Sequence, residues 1–314
     1  MKFSVAIPAY KAEYLGEAVS SVIAQTYPDW ELVIVDDCSP ADLKSVVAPF
    51  LANPRVHFYR NDHNFGAVDV VDNWNRCLAY CNGDYVICIG DDDRLLPRCL
   101  EDLCTTITRH PGLGLYHIQA EMIDAEGSVI ESFPPRPALE SRYDMLERRW
   151  KRNSRQFIGD FCFELPRLRA EGGFFKLPLA WWSDDISAFR AAADGIANTE
   201  APGFQYRQTP LSLSSDDDFT IKVAATVLAA GWFKAALEAM QPATPEEAAQ
   251  KSRLERAWSA FFPYLCGEYL KTDIGKHPRR LRYWLRHRKE TLLTGTAIVR
   301  WGIKGILKNR LVKR

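Results

Sequence analysis

Three consecutive aspartates, Asp91, Asp92 and Asp93, follow the run Tyr-Val-Ile-Cys-Ile and Gly90. A second acidic pair, Asp36 and Asp37, follows Glu-Leu-Val-Ile-Val, and Pro8, Ala9 and Tyr10 follow Phe-Ser-Val-Ala-Ile. Each run has the length and β-branched content of a buried strand, so the polar groups fall at strand ends. In an open parallel sheet, ligands bind beyond the carboxyl ends of the strands. Two acidic clusters there would repel each other in an empty site, and a divalent cation would relieve that repulsion. Mg²⁺ or Mn²⁺ takes oxygen ligands, typically one or two carboxylates completed by substrate phosphates. The competing reading is that such acids cap the next helix. It weighs more for Asp36 and Asp37 than for a run of three.

The elements that must position these groups alternate. Residues 3–7, 31–35, 56–59 and 85–89 read as strands, and 13–25, 43–51, 68–80 and 97–109 as helices. Leu15, Ala18, Val19, Val22 and Ile23 recur at helical spacing, and Pro97 suits a first helical turn. Apolar strands separated by helices mean βαβ units around a parallel sheet covered on both faces. Past residue 110 the pattern changes. Residues 113–123 and 128–133 flank Asp124, Ala125, Glu126 and Gly127, which read as a hairpin turn. Prolines 134, 135 and 137 lead into a charged segment, 140–155. Residues 157–215 hold the paired Trp181 and Trp182 and a helix near 185–193, and from 219 onward only helices are expected.

The chain has 314 residues, 47% hydrophobic and 25% charged, which is enough for a real core and excludes disordered and fibrous classes. No window approaches the ~18 uncharged apolar residues of a membrane span; the best is residues 223–233. Pro8 breaks the N-terminal apolar run and no small-residue cleavage site follows, so no signal peptide is expected. The eight cysteines include no C-x-x-C pair and are expected as buried free thiols of a reducing compartment. The six histidines form no metal-spaced pair. These features make the cytoplasm the expected location. The 40 basic and 40 acidic residues balance, but unevenly. Residues 271–314 hold 14 bases and two acids, a net of +12, which leaves −12 on the rest.

In order and spacing the motifs resemble those of family 2 glycosyltransferases, nucleotide-binding enzymes of the GT-A type. A strand ending P-x-Y-N is matched by Pro8, Ala9, Tyr10 and Lys11, and S-x-x-x-Q-T-Y by Ser21, Gln25, Thr26 and Tyr27. The V-D-D-x-S stretch is Val35, Asp36, Asp37, Cys38 and Ser39. Asn64 and Gly66, Asn75, and Gly83-Asp84-Tyr85 follow in place, then Asp91-Asp92-Asp93 and Pro97. Later come Gly172-Gly173-Phe174, Asp184 with Arg190 and Gly195, and Tyr206-Arg207 with Ser212 and Ser214. The likeness covers residues 3 to about 215. Three positions depart from it: Lys11 replaces asparagine, Gly90 the first acid of D-x-D-D, and Ser183 the acid before Asp184. The Q-x-x-R-W signature of processive synthases is absent.

The resemblance implies an α/β, Rossmann-like, mostly parallel GT-A sheet flanked by helices, with a helical C-terminal extension. It implies a domain at 1–215, with a nucleotide-sugar half at 1–110 and an acceptor half at 111–215. A helical extension (216–270) and a basic amphipathic tail (271–314) follow. Pro8, Ala9 and Tyr10 would line the donor pocket, Asp37 would meet the base, and Asp36 would support its loop. Asn75 is expected on the donor side, and Asp91 at the ribose or sugar. Asp92 would be the principal ligand of Mn²⁺ or Mg²⁺, and Asp93 a second metal ligand or a loop-organising carboxylate. Asp184 matches the catalytic base, with Asp185 one residue away as the alternative. Trp181 and Trp182 offer an acceptor-stacking surface, with one expected exposed and one in the core. Lys11 would meet a phosphate or lie in solvent.

The expected activity is therefore transfer of one sugar, with inversion, from a nucleotide sugar to a hydroxyl of a saccharide or lipid-linked saccharide. UDP is the nucleotide the family most often uses. A nucleotidyltransferase and a catalytically silent nucleotide-sugar- or saccharide-binding protein at the membrane are the alternatives. In the tail, Val299, Ile303, Ile306 and Leu307 share a helical stripe beside Arg300, Lys304 and Lys308, the pattern of an interfacial helix on anionic lipid. Packing back on the acidic body and a solvated helix are the competing readings. Gly302 and Gly305 should weaken the helix. No nucleic-acid-binding module is recognisable.

Overall fold

The computed structural model describes residues 1–152, 155–209 and 218–312. Ser212 and Ser214, and the expected boundary at 215/216, lie outside these. In chain order the first elements are β1 (Phe3–Ala9), α1 (Leu15–Ile23), β2 (Trp30–Asp36), α2 (Leu43–Val47), β3 (Val56–Arg60), α3 (Val70–Leu78), β4 (Tyr85–Cys88), β5 (Arg94–Leu95) and α4 (Cys99–Arg109). Next come β6 (Leu115–Ile123), β7 (Val129–Ser132), β8 (Leu139–Glu140), α5 (Arg142–Trp150), β9 (Phe161–Glu164), α6 (Leu165–Ala170), α7 (Ser183–Ala191) and β10 (Ile196–Arg207). The chain closes with α8 (Phe219–Ala239), α9 (Pro245–Lys276), α10 (Arg280–Arg286) and α11 (Gly295–Val312).

The sheet runs β3-β2-β1-β4-β9-β6-β10-β5, with β7 on β6 and β8 on β10. The first four strands are parallel, and helices bury apolar residues such as Leu15, Val19, Val22, Leu100 and Leu103 against the sheet. Beyond β4 the sheet is mixed, because β9 enters antiparallel to both β4 and β6. The hairpin at Asp124–Gly127 is present: Ser128 N–H donates to Asp124 Oδ1 at 2.8 Å, and Gly127 takes a φ of 86°. All eight cysteines are free thiols and six are buried.

Two compact units divide the chain. The first comprises Met1–Met145, Ser154–Lys176 and Ser183–Ser215; the second comprises Leu146–Asn153, Leu177–Trp182 and Asp216–Arg314. In the second unit Trp150 packs edge-on against Phe233 and Phe262, with ring centroids 5.4 and 5.6 Å away. The tail is part of this unit. Ile298 joins Cys266, Leu270, Ile274 and Trp284 in a buried cluster. Gly302 and Gly305 do not interrupt α11; they form its seam with α9. A Cβ on Gly305 would lie 2.0 Å from the Lys271 carbonyl, and one on Gly275 would lie 2.9 Å from the Gly305 carbonyl. Close backbone approach offsets the propensity cost that the sequence suggested.

Helix α8 is longer than the apolar window at 223–233 suggests: Lys222 and Lys234 bound that window, but the helix continues through both. At 21 residues, with a mean hydropathy of 1.3 in its most apolar window, it is long and apolar enough to cross a membrane. Its buried Val223, Thr226, Ala230, Phe233 and Leu237 recur at helical spacing, as on one packed face.

Candidate active site

Strands β1, β2 and β4 lie side by side and parallel, so their carboxyl ends share one edge of the sheet. The Ala6 carbonyl accepts Ile89 N–H, after which β4 departs. Pro8 has the same orientation two residues on, so its missing N–H falls where no neighbouring strand remains to be bonded. Asp36 ends β2 fully buried. Its Oδ1 accepts Ser39 N–H at 2.8 Å, and its Oδ2 pairs with the Arg60 guanidinium at the end of β3. Cys38 takes a φ of 51°, which costs a residue with a Cβ about 1–2 kcal/mol. Beside it, Ser39 Oγ donates to the Tyr10 carbonyl at 2.6 Å. Buried Asp37 accepts from Asn61 Nδ2 at 3.0 Å and from Phe65 N–H at 3.1 Å. These bonds fasten the ends of β1, β2 and β3 to one another.

Asp91 ties β4 to the same edge. Its Oδ2 accepts Tyr10 N–H at 2.7 Å and Lys11 N–H at 2.6 Å, while Oδ1 lies 3.2 Å from Lys11 Nζ. The same ammonium pairs with Asp92 Oδ2. Lys11 therefore lies between two carboxylates, which neither sequence expectation for it included. Asp93 turns inward: Gly90 N–H donates to one oxygen at 3.1 Å and Arg207 N–H to the other at 2.9 Å. That is the geometry of a loop-organising carboxylate. The departure at position 90 has a steric cause, because a Cβ there would lie 2.8 Å from both Asp92 Oδ1 and Asp93 Oδ2. Arg207 is buried and completes the loop. Its Nε donates to the Asp92 carbonyl at 2.8 Å, its Nη1 to the Ala125 carbonyl at 2.8 Å, and its Nη2 to Glu17 at 2.6 Å.

Burial opposes charge on Lys11, yet Asp91 and Asp92 outweigh it and hold the ammonium above the usual lysine range. Burial pushes the Asp91 carboxyl up against the pull of Lys11, and pushes Asp93 well up with the Asp92 charge adding. Two carboxylates, Asp91 and Asp92, thus share one internal ammonium, and Asp93 is held by backbone N–H groups beside them. Among the described residues no three His, Cys, Asp or Glu side chains converge as a ready-made metal site. The Asp91–Asp92 pair nevertheless fits Mg²⁺ or Mn²⁺: its donors are hard oxygens, they already hold a cation, and phosphate oxygens can complete the shell.

Asp184 and Asp185 occupy the first turn of α7, where a helix favours negative charge. Asp185 is buried and donates its N–H to Asp184 Oδ1 at 2.9 Å; Asp184 is half-buried. Asp160 lies in the same electrostatic neighbourhood. Burial pushes its carboxyl well up, with Arg136 opposing and Asp184 and Asp185 adding. His117 Nε2 is 3.7 Å from it.

The glycosyl transferase family 2 model matches residues 4–160, half of the chain. The chain belongs to that family. WcaA of Escherichia coli K12, whose name ties it to colanic acid biosynthesis, is 36% identical over 100 residues, 31% of this chain and 34% of its own. WfgD of Escherichia coli, a UDP-Glc:α-D-GlcNAc-diphosphoundecaprenol β-1,3-glucosyltransferase, is 31% identical over 99 residues, 31% of this chain and 38% of its own. The chain thus spans about a third of the length of these relatives. Among solved structures, residues 1–349 of Staphylococcus aureus TarS with UDP-GlcNAc superpose with a TM-score of 0.60 at 15% identity, covering 99% of this chain and 92% of that one. The mannosyltransferase PcManGT of Pyrobaculum calidifontis with GDP-Man and Mn²⁺ gives 0.55 at 16% identity, covering 100% and 88%. At such identities the likeness shows the GT-A fold.

Against the family motifs, the structure gathers Pro8, Ala9, Tyr10, Asp36, Asp37, Asp91, Asp92 and Asp93 at one sheet edge. Asn75 makes its bonds elsewhere: Phe174 N–H donates to its Oδ1 at 2.7 Å, and its Nδ2 donates to the Phe174 carbonyl at 3.1 Å. It clamps the Gly173–Phe174 turn. Trp181 and Trp182 belong to the second unit. Trp182 is core, packed on Phe261 and Phe262 with Nε1 donating to Thr226 Oγ1 at 3.1 Å, so it cannot present a stacking face. Trp181 is half-buried and donates to Tyr269 Oη at 3.0 Å. Leu179, Ala180 and Trp182 all take positive φ (58°, 53° and 75°), a strained turn immediately before α7. The sequence reading missed Arg60, Glu17 and Asp160. Only proximity in the fold distinguishes them.

Proposed function

We propose that this family 2 member transfers a single hexosyl residue, with inversion, from a nucleotide sugar to a hydroxyl of a saccharide or lipid-linked saccharide during cell-surface glycan synthesis. The nucleotide is UDP, and the enzyme works on the cytoplasmic side of a membrane. The observation that carries the reading is the strand-end cluster. Asp91 and Asp92, after β4, bond the Pro8–Lys11 loop directly, and the end of β2 joins it through the Asp37 N–H to the Ala9 carbonyl and through Ser39, which Asp36 holds, at the place where nucleotides bind in open α/β sheets. The names of relatives that use UDP-sugars and a diphosphoundecaprenol acceptor support the choice of substrates.

In this reading Pro8, Ala9 and Tyr10 line the pocket, Asp37 meets the base, and Asp36 keeps the loop shaped through Arg60 and Ser39. Asp91 faces the ribose side. Asp92, with Asp91, would hold Mg²⁺ or Mn²⁺. Such an ion supplies Lewis-acid charge to a diphosphate leaving group. Lys11 neutralises the same two carboxylates and would yield its place to such an ion. Asp184, in the first turn of α7, takes the proton of the attacking hydroxyl. Displacement by a single base from the face opposite the leaving group inverts the anomeric centre. Trp181 is the remaining aromatic candidate for the acceptor. Catalysis falls to residues 1–215, with 216–270 and 271–314 as an extension and a tail.

The test is release of the free nucleotide (the diphosphate from UDP-, GDP- and dTDP-sugars, the monophosphate from CMP-sugars), with water as acceptor, by wild type, Asp184→Asn and Asp185→Asn. NMR of the released sugar follows its configuration. We expect turnover with UDP-sugars, an inverted product, and a loss of about 10²–10⁴-fold in Asp184→Asn with donor binding retained. A retained anomer, or near wild-type turnover by Asp184→Asn, overturns the assignment.

A further inference from the structure

Among the described residues, helix α11 packs through one face. Ile298, Gly302 and Gly305 face α9, and Asn309 Nδ2 donates to the Gly275 carbonyl at 2.6 Å. Away from that seam, Val299, Ile303, Leu307 and Leu311 are 37, 51, 55 and 75% exposed. They are spaced four apart, so they form a single row about 18 Å long. A continuous exposed aliphatic row differs from scattered surface leucines and marks a contact surface. Arg300, Lys304 and Lys308 are exposed and stand one position further along at the same spacing. The 18 residues of α11 include no acid.

A second feature adjoins this row. A cavity of about 520 Å³ is lined by Tyr264, Thr296, Ala297, Arg300, Trp301 and Lys304. Lys304 Nζ lies 4.6 Å over the Trp301 ring, and Arg152 lies 4.8 Å over Tyr264. Arg300 and Lys304 thus border both the aliphatic row and the cavity. Cations and amphipathic aromatic rings beside an aliphatic strip match the layers of a lipid surface: phosphate, interface and acyl chain. A second copy of the chain, meeting this face symmetrically, would bring the same cations against each other. Nucleic acid would leave the aliphatic row uncovered.

We propose that α11 is an interfacial helix docking the protein on an anionic phospholipid surface, with Val299, Ile303, Leu307 and Leu311 entering the acyl boundary. The cavity bordered by Arg300 and Lys304 receives a lipid phosphate. The charge segregation of the sequence then has a local use, since a negatively charged leaflet attracts the basic segment. The proposal extends the lipid-linked-acceptor reading but stands on α11 alone.

The experiment is co-sedimentation of the full chain with vesicles of phosphatidylcholine, and of phosphatidylcholine with one-third phosphatidylglycerol. Wild type is compared with Ile303→Ser/Leu307→Ser and with Arg300→Ser/Lys304→Ser. We expect binding at least tenfold tighter to the anionic vesicles. The cation pair should lose about fivefold per charge removed. The aliphatic pair should lose tenfold or more on the same vesicles. All substituted positions are exposed, and unchanged melting temperatures confirm the fold. Equal binding to both vesicle types, wild type remaining in the supernatant, or a dimer in light scattering that the aliphatic pair dissolves would each overturn the proposal. Nucleotide-sugar hydrolysis without vesicles should be equal in all three proteins. That readout separates failure of docking from failure of the transferase reading.

Discussion

Replacing Lys11 by methionine keeps an unbranched side chain one atom shorter and removes the ammonium that pairs with Asp91 and Asp92. Its Nζ lies 3.2 Å from Asp91 Oδ1 and bonds Asp92 Oδ2, so a divalent ion using these oxygens meets an occupied position. Two unit charges about 4 Å apart interact by about 4 kcal/mol at an effective dielectric constant near 20. The lysine side chain is about one-quarter exposed and can swing into solvent, so metal binding need cost only the net worth of the ion pair. Between the value of an exposed pair and that of a buried one, this is about 1–2 kcal/mol. Lys11→Met should therefore bind Mn²⁺ about five- to thirtyfold more tightly than wild type. The assay is titration of Mn²⁺ followed by EPR, without donor, with Asp92→Asn as the control that should lose the ion. Tighter binding in the variant supports a site shared between ammonium and metal. Unchanged or weaker binding in folded Lys11→Met, or no binding by either protein, would refute the reasoning.

Other consequences follow from the same contacts. Asp93→Ala removes the acceptor of two buried backbone N–H groups and should cost about 2–4 kcal/mol in urea unfolding; a loss below about 0.5 kcal/mol would contradict its loop-organising role. Gly305→Ala should destabilise by about 1–3 kcal/mol despite the better helix propensity of alanine, and a stabilised variant would contradict the α9–α11 seam. Burial favours protonating Glu31, but hydrogen bonds from Lys2, Ser4 and Asn82 hold its carboxyl below the usual 4.5. A depressed folded value means that its stabilisation is full above pH 4.5 and is lost as pH falls through that lower value. Glu31→Gln should therefore melt below wild type at pH 7, with the gap closing under acid; a gap that stays constant with pH would refute this.

Much of the first unit was legible because its signals are local. Apolar runs gave β1, β2, β3 and β4, and the acids that follow β2 and β4 fall at one edge because parallel strands end together. The two-residue β5 and the antiparallel β9 were not legible: β5 is too short to carry periodicity, and nothing local in Phe161–Glu164 specifies its insertion between β4 and β6. The site divides in the same way. Asp36, Asp37 and Asp91–Asp93 stand out by type and position, whereas Arg60, Glu17 and Asp160 matter through partners far away in sequence. Gly302 and Gly305 misled a propensity argument, because a helix interior reads a glycine as loss and a helix seam reads it as room. Lys11 was a visible departure from the family motif. Its pairing with Asp91 and Asp92 required the fold.

Binding of a nucleotide sugar at the edge formed by the ends of β1, β2 and β4 is tested by the ligand-induced shift in melting temperature with UDP-, GDP-, dTDP- and CMP-sugars, in Mn²⁺ and in EDTA, for wild type and Asp37→Ala. A ligand at a hundred times its Kd adds about 2.7 kcal/mol to the folded state. UDP-sugars alone should raise the melting temperature, EDTA should reduce the shift, and Asp37→Ala should abolish it. No shift with any donor, or a full shift retained in Asp37→Ala, would contradict binding at that edge.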